Sequence, residues 1–255
     1  MQLSVLLENF LELEEKLSSN SKLFRPTEIF NEGWLLRFIL DWFSSNRQNT
    51  EAHQLHFYKD AKWFSEAYLP SPFMKGKDKE TRTHADGVIG HFEIGEKGKA
   101  DLRLTKDATQ FIAIEAKLMS KLSAGVKADI NYDQVSRYIG CIYYLLEKAE
   151  RFTGSLDEML LCFYLVAPKG KEDMHSELLK RASIKLKITE RAKKLKRELN
   201  NLDRLFANIK VEFISWEDLI KFIQGIDNRN GYIFNDYYDC CLRFNGVNAN
   251  NNSSR

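Results

Sequence analysis

ADLRLTKDATQFIAIEAKL, residues 100–118, decides how this chain is read. Leu102 and Leu104 alternate with charged residues, and Ile112, Ile114 and Leu118 alternate again further on, so the stretch reads as two strands. With Lys106 to Gln110 as the turn, Asp101 stands directly across from Glu115. Period-two geometry puts Glu115 and Lys117 on one face. Carboxylates opposed in this way lie about 4.5–5.5 Å apart and destabilise a hairpin. A divalent cation between them removes the conflict, and a neighbouring lysine can orient a water molecule for attack on a phosphodiester. A solvated hairpin with a surface Glu–Lys pair is the plainer alternative.

The surroundings are those of an α/β chain. Residues 2–18 and about 27–44 read as amphipathic helices, the second (TEIFNEGWLLRFILDWF) apolar enough to pack on both sides. A loop-rich stretch at about 65–83 holds two of the four prolines and the cations Lys75, Lys77, Lys79 and Arg82. Strands are expected at 85–94, 100–105 and 111–117, with GEKGK as the first turn. A helix at 128–149 follows, then a buried strand MLLCFYLVA, a basic helical stretch at 172–207, a strand IKVEFISW and a helix EDLIKFI. The expectation is a central mixed sheet with an antiparallel meander flanked by helices, as one domain over residues 1–244. Residues 172–207 form a basic helical insertion, and residues 245–255 a polar, disordered tail.

Asp101 and Glu115-Ala116-Lys117 resemble the PD-(D/E)xK nuclease superfamily, in which an Asp is followed after a gap by Glu-x-Lys. Ala100 stands where proline is usual. The element order, over roughly residues 32–220, resembles the restriction-endonuclease-like core of that superfamily. The resemblance implies Mg²⁺ or Mn²⁺ held by Asp101, Glu115, the Ala116 carbonyl and a helical Glu32, with Lys117 positioning and activating the water. Glu28 rivals Glu32. Gln134-x-x-x-Tyr138 resembles the QxxxY element of RecB-like nucleases and implies that Gln134 reaches the catalytic edge. The bland reading of that pair is a buried polar–aromatic contact on an apolar stripe. Asp86, in HADGVIG, competes for the aspartate position. With the turn centred near Lys97, however, it pairs near residue 108, and Asp101 is preferred.

The formal net charge of +2 is too small to announce a polyanion binder, so that argument is local. Segment 176–200 carries nine Lys/Arg against three Glu. Lys193, Lys194, Lys196 and Arg197 are its candidate phosphate contacts, as are Lys121 and Lys127 after the Glu-x-Lys strand. An amphipathic helix with solvated lysines explains the same pattern. Cys141, Cys162, Cys240 and Cys241 lack metal-ligand spacing and read as reduced thiols of a cytoplasmic protein. The N-terminal stretch lacks the basic region of a signal peptide, and no apolar run approaches membrane-spanning length. His53-x-x-His56 is a weak pair, better suited to packing than to zinc. No phosphate-binding loop is present.

The function expected is therefore divalent-metal-dependent cleavage of nucleic acid, most simply DNA. A catalytically silent nucleic-acid-binding or assembly module is the alternative, and a homodimer or a protein partner stays open. A helical scaffold built on residues 172–207 is the remotest reading.

Overall fold

A computed structural model describes residues 3–17, 25–74, 80, 83–95, 101–125, 129–154 and 156–246. Lys75, Lys77, Lys79, Arg82, Lys127 and the tail beyond residue 246 lie outside the described residues. Helices α1 (Leu3–Leu17), α2 (Pro26–Ile29) and α3 (Glu32–Ser45) lead into strands β1 (Lys62–Leu69), β2 (Thr83–Gly90), β3 (Phe92–Ile94), β4 (Leu102–Leu104) and β5 (Gln110–Ala116). Helix α4 (Gln134–Lys148), strand β6 (Leu160–Ala167), helices α5 (Glu172–Leu179), α6 (Arg181–Lys194) and α7 (Leu202–Asn208), strand β7 (Lys210–Ser215) and helices α8 (Trp216–Ile226) and α9 (Asn228–Phe244) follow.

The fold is α/β, with a five-stranded mixed sheet in the order β1-β2-β5-β6-β7. β1, β2 and β5 pair antiparallel; β5, β6 and β7 pair parallel. Parallel neighbours need long crossovers, which α4 and the run α5 to α7 supply. Every residue of β5 is buried, as a central strand covered on both faces requires. On one face Val88, Phe111, Ala113, Phe163 and Leu165 pack toward α4 and α6. On the other, Ile89, Ile112, Ile114, Tyr164 and Val166 pack toward α3, α8 and α9.

The antiparallel meander exists, but it is built from different strands than the sequence suggested. β1 lies partly in the stretch read as loop, and α9 was not anticipated. The expected strand 85–94 breaks at His91, and β4 pairs with β3 in a separate two-stranded arm. In that arm Phe92 faces Leu104; the same ladder continued backward would set Gly87 opposite Thr109. Gly87 faces Ile114 instead, five residues further on.

Thr105–Thr109 are the extra residues. They turn at Thr105, whose carbonyl accepts from Ala108 N (3.2 Å). His91 ties the turn to the strand: its Nδ1 accepts from Thr109 N and Gln110 N at 3.3 Å, and its Nε2 donates to the Lys59 carbonyl at 2.8 Å. Gly90 makes the bend possible. Its φ is +149°, and a Cβ there would overlap the Gln110 carbonyl oxygen. The turn expected at residues 106–110 is thus real, but it interrupts a ladder instead of joining two hairpin strands.

Candidate active site

Register brings Asp86 to Glu115. Gly87 pairs with Ile114 at the end of the β2–β5 ladder, so the next residues along, Asp86 and Glu115, oppose each other. The Asp86 Oδ2 accepts from Ala116 N at 2.8 Å. Gly87 lets α3 lie against this point, since a Cβ there would stand 2.9 Å from Leu40 Cδ1 and 3.0 Å from Leu36 Cδ2.

Glu115 is buried, yet three side chains converge on its carboxylate. Lys117 Nζ lies 2.5 Å from Oε1, and Gln134 Nε2 donates to Oε1 at 2.6 Å. The Tyr138 hydroxyl donates to Oε2 and also lies 2.6 Å from the His84 carbonyl. The helix that carries Gln134 and Tyr138 starts at this point because Asp133 caps it, accepting from Ser136 N at 2.8 Å. Gln134 also grips the loop after β5: its Oε1 accepts from Ser123 N at 3.1 Å, and its N donates to the Ser123 carbonyl at 3.0 Å. Lys117 is anchored through its backbone, with its N donating to the Val166 carbonyl and its carbonyl accepting from Trp216 Nε1, both at 2.8 Å.

Electrostatics match this crowding. Burial first, and the Glu115 carboxylate second, push the Asp86 carboxyl up to about 7. The hydrogen bond from Ala116 and the Lys117 charge work against that rise, while Glu66 adds to it. Burial alone would lower Lys117, but Glu115, Asp86 and Glu32 outweigh it and hold the ammonium above its ordinary range. At neutral pH Lys117 is therefore a donor and a positive charge, not a base. Glu32, half-buried in the first turn of α3, belongs to the same electrostatic neighbourhood; Glu28 is exposed on α2.

Asp101 is elsewhere. It precedes β4, which does not pair with β5; it bridges to Tyr68 of β1 and forms a long ion pair with Arg103 (3.8 Å). The expected Asp101–Glu115 opposition is thus corrected to Asp86–Glu115, and the physical cause is the five-residue interruption of the ladder.

Three further residues reach this edge without a signal in the sequence. Glu66 stands between the pairs Ser65↔Gly87 and Ala67↔Ala85, opposite Asp86, with φ +55° and an ion pair to Arg37 at 3.5 Å. His175 of α5 is buried, and its imidazole is lowered by burial and then by Lys117, Lys121 and Lys171. Lys171 precedes α5, and Lys121 is exposed in the loop after β5.

The basic stretch is largely occupied internally. Lys187 reaches Asp133 at 2.7 Å, and Arg191 and Lys194 reach Asp129 at 3.2 Å. Arg197 reaches Glu147 at 2.5 Å. Lys194 and Arg197 thus clamp α6 and the turn after it to α4 and the loop before it, whereas Lys193 and Lys196 are exposed. His53 packs between Phe43 and Phe222. The four cysteines are buried free thiols.

Among the described residues no group of three or more His, Cys, Asp or Glu side chains is gathered closely enough to hold a metal ion, and no helix is long and apolar enough to cross a membrane. The chain matches no family model, no curated protein and no solved structure.

Proposed function

We propose that this chain is a divalent-metal-dependent nuclease of the PD-(D/E)xK kind, with a restriction-endonuclease-like core and Asp86 in the aspartate position. The observation that carries the reading is the opposition of Asp86 and Glu115 across β2 and β5, with Lys117 and Gln134 both on the Glu115 carboxylate. The sequence order of a helix, an antiparallel meander β1-β2-β5, a helix and a parallel strand supports it.

The donor set fits a hard cation. Two carboxylates share one buried edge, and the cost of charging both appears as the raised proton affinity of Asp86. Asp86 and Glu115 would hold Mg²⁺ or Mn²⁺ with the Ala116 carbonyl, and Glu32, too far off to join them directly, would act through a bound water. Once bound, the cation supplies a more acidic water and neutralises charge on the phosphate.

The chain's own residues do the rest. Lys117, held as an ammonium, donates to the attacking water or to a phosphate oxygen and stabilises charge that develops in the transition state. Gln134 and Tyr138 fix the Glu115 carboxylate, and Trp216 fixes the Lys117 backbone. Lys121 and Lys171 flank the strand on the phosphate side, whereas exposed Lys193 and Lys196 lie toward the far end of α4, where Arg197 meets Glu147. Lys194 and Arg197, spent on Asp129 and Glu147, belong to the packing of α6 instead. DNA is the proposed substrate.

The test is cleavage of linear and circular, single- and double-stranded DNA and of RNA, in Mg²⁺ and in Mn²⁺, by the wild-type chain and by Glu115→Gln. Metal-dependent cleavage that Glu115→Gln abolishes supports the reading. Tight, metal-indifferent binding without cleavage leaves the silent binding module in its place.

A further inference from the structure

Beside the proposed catalytic edge, the β3–β4 arm and the second half of α4 enclose a cleft of about 500 Å³, within the range that takes a nucleotide-sized ligand. Its floor is apolar, formed by Leu104, Leu145 and Ala149, and the half-buried rings of Tyr68 and Tyr144 also line it. Cations stand at its rim. Lys148 lies 5.2 Å from the Tyr144 ring centre and has no carboxylate partner among the described ion pairs. Lys106 and Arg103, both largely open to water, have only long pairs, with the exposed Glu150 at 3.5 Å and the half-buried Asp101 at 3.8 Å. Exposed pairs of that kind cost little to exchange for another anion.

Position ties the cleft to the site. Tyr68 pairs with His84, two residues before Asp86, and on its other side bridges to Asp101. Two ladder steps therefore separate Asp86 from the cleft, about 10 Å, a span of one or two nucleotides.

We propose that the cleft takes one unpaired base of the bound strand, a reading that rests on the nuclease assignment and extends it to the substrate's single-stranded form. The base lies on the apolar floor against Tyr144, and its phosphate meets Lys148 and Arg103. Aromatic rings stack any base, and the neighbouring cations take the charge that every nucleotide carries. Asp101, which the sequence marked for the metal, lines this cleft instead; its Oδ1 is buried and without a hydrogen-bond partner among the described residues.

The experiment is an abasic scan in the full chain. The shortest single-stranded DNA oligonucleotide that binds at full strength is made with one base removed at each position in turn. Affinities are measured in EDTA for wild type, Tyr144→Ala, the exposed Lys148→Ala, and Glu115→Gln. We expect one position whose abasic form binds roughly tenfold or more weakly. That penalty should disappear in Tyr144→Ala and shrink in Lys148→Ala, and it should persist in Glu115→Gln. A scan that is flat, or whose peak is unchanged in both Tyr144→Ala and Lys148→Ala, overturns the proposal, as does failure to bind single strands at all. The two readings fail separately. Cleavage with a flat scan removes the cleft and leaves the nuclease, whereas a peak at one position in a protein that cleaves nothing leaves the cleft and removes the nuclease.

Discussion

The β2–β5 and β3–β4 ladders come from one chain reversal, yet they stand in different registers and carry different residues. In the distal arm, Phe92 and Leu104 pair as an unbroken hairpin would have them. In the proximal ladder, five looped residues have moved every partner, and Asp86 meets Glu115. A hydrophobic pattern of period two constrains register only to within an even slip, because sliding by two keeps each side chain on its face. A slip by five reverses the faces, and the chain accommodates it only with a break: Gly90 at φ +149°, and His91 outside both strands. The difference teaches that a carboxylate at the right sequence separation is not a carboxylate at the right place in a ladder.

The largest effect should come from exchanging the two aspartates' roles. Asp86→Asn is expected to lower cleavage by about a thousandfold or more, a loss comparable to removing a principal transition-state contact. Asp101→Asn should leave turnover within about tenfold and act mainly on affinity for single strands. Steady-state kinetics on both variants checks this, and the reverse ranking would return Asp101 to the metal and break the proximal register.

Lys117→Ala should cost about a hundredfold in kcat with a much smaller change in nucleic-acid affinity, since an ammonium on the reacting phosphate works mostly in the transition state. A change in KM alone would reduce Lys117 to a binding charge.

Gly90→Ala probes the joint between the ladders. A Cβ there meets the Gln110 backbone at a φ that L residues rarely adopt, so unfolding in urea should reveal a loss of about 1–3 kcal/mol. The same substitution at the solvent-facing Gly154, around whose Cβ position no atom lies within 4 Å, should be nearly neutral. Equal losses at both glycines would mean that the bend carries no strain.

The subtlest expectation concerns pH. Asp86 is raised from an ordinary 3.8 to about 7, so between these values the folded, metal-free protein binds more protons than the unfolded chain. Its stability should therefore fall as pH rises from about 4 to 7 and level off above. Asp86→Asn should flatten that slope and, above pH 7, melt at or above the wild-type temperature. Thermal melts in EDTA across this range decide it, and a slope unchanged by the substitution would detach Asp86 from Glu115.

Much of the fold was legible because it is written in burial. MLLCFYLVA and QFIAIEA can be little but central strands, and the placing of β6, β7 and α8 followed from apolar period and breakers within a few residues, while α4 begins six residues later than expected, at Gln134. β1 was missed because KWFSEAYL is an edge strand with a polar, half-exposed pattern and a positive-φ residue, Glu66, in its middle. α9 was missed because NGYIFNDYYDCCLRF buries itself through Tyr237, Tyr238 and two cysteines rather than through a run of leucines. In the candidate site, Glu115, Lys117 and Gln134 were legible because each is fixed by local spacing, two residues along a strand or the first turn of the next helix. Asp86 was weighed and set aside on a register that only the Thr105–Thr109 loop alters.

By itself, the sequence determined which segments are buried, which residues could carry metal or phosphate chemistry, and that Glu115 and Lys117 share a strand face. Only the tertiary structure decided which aspartate faces Glu115, that Lys194 and Arg197 are spent on Asp129 and Glu147, and that His175, Lys121 and Lys171 gather near Lys117. The physical reason is one of range. Spacing along a strand or helix follows from backbone geometry a few residues at a time, whereas pairing between strands depends on every residue inserted between them, and charge compensation depends on what packs nearby.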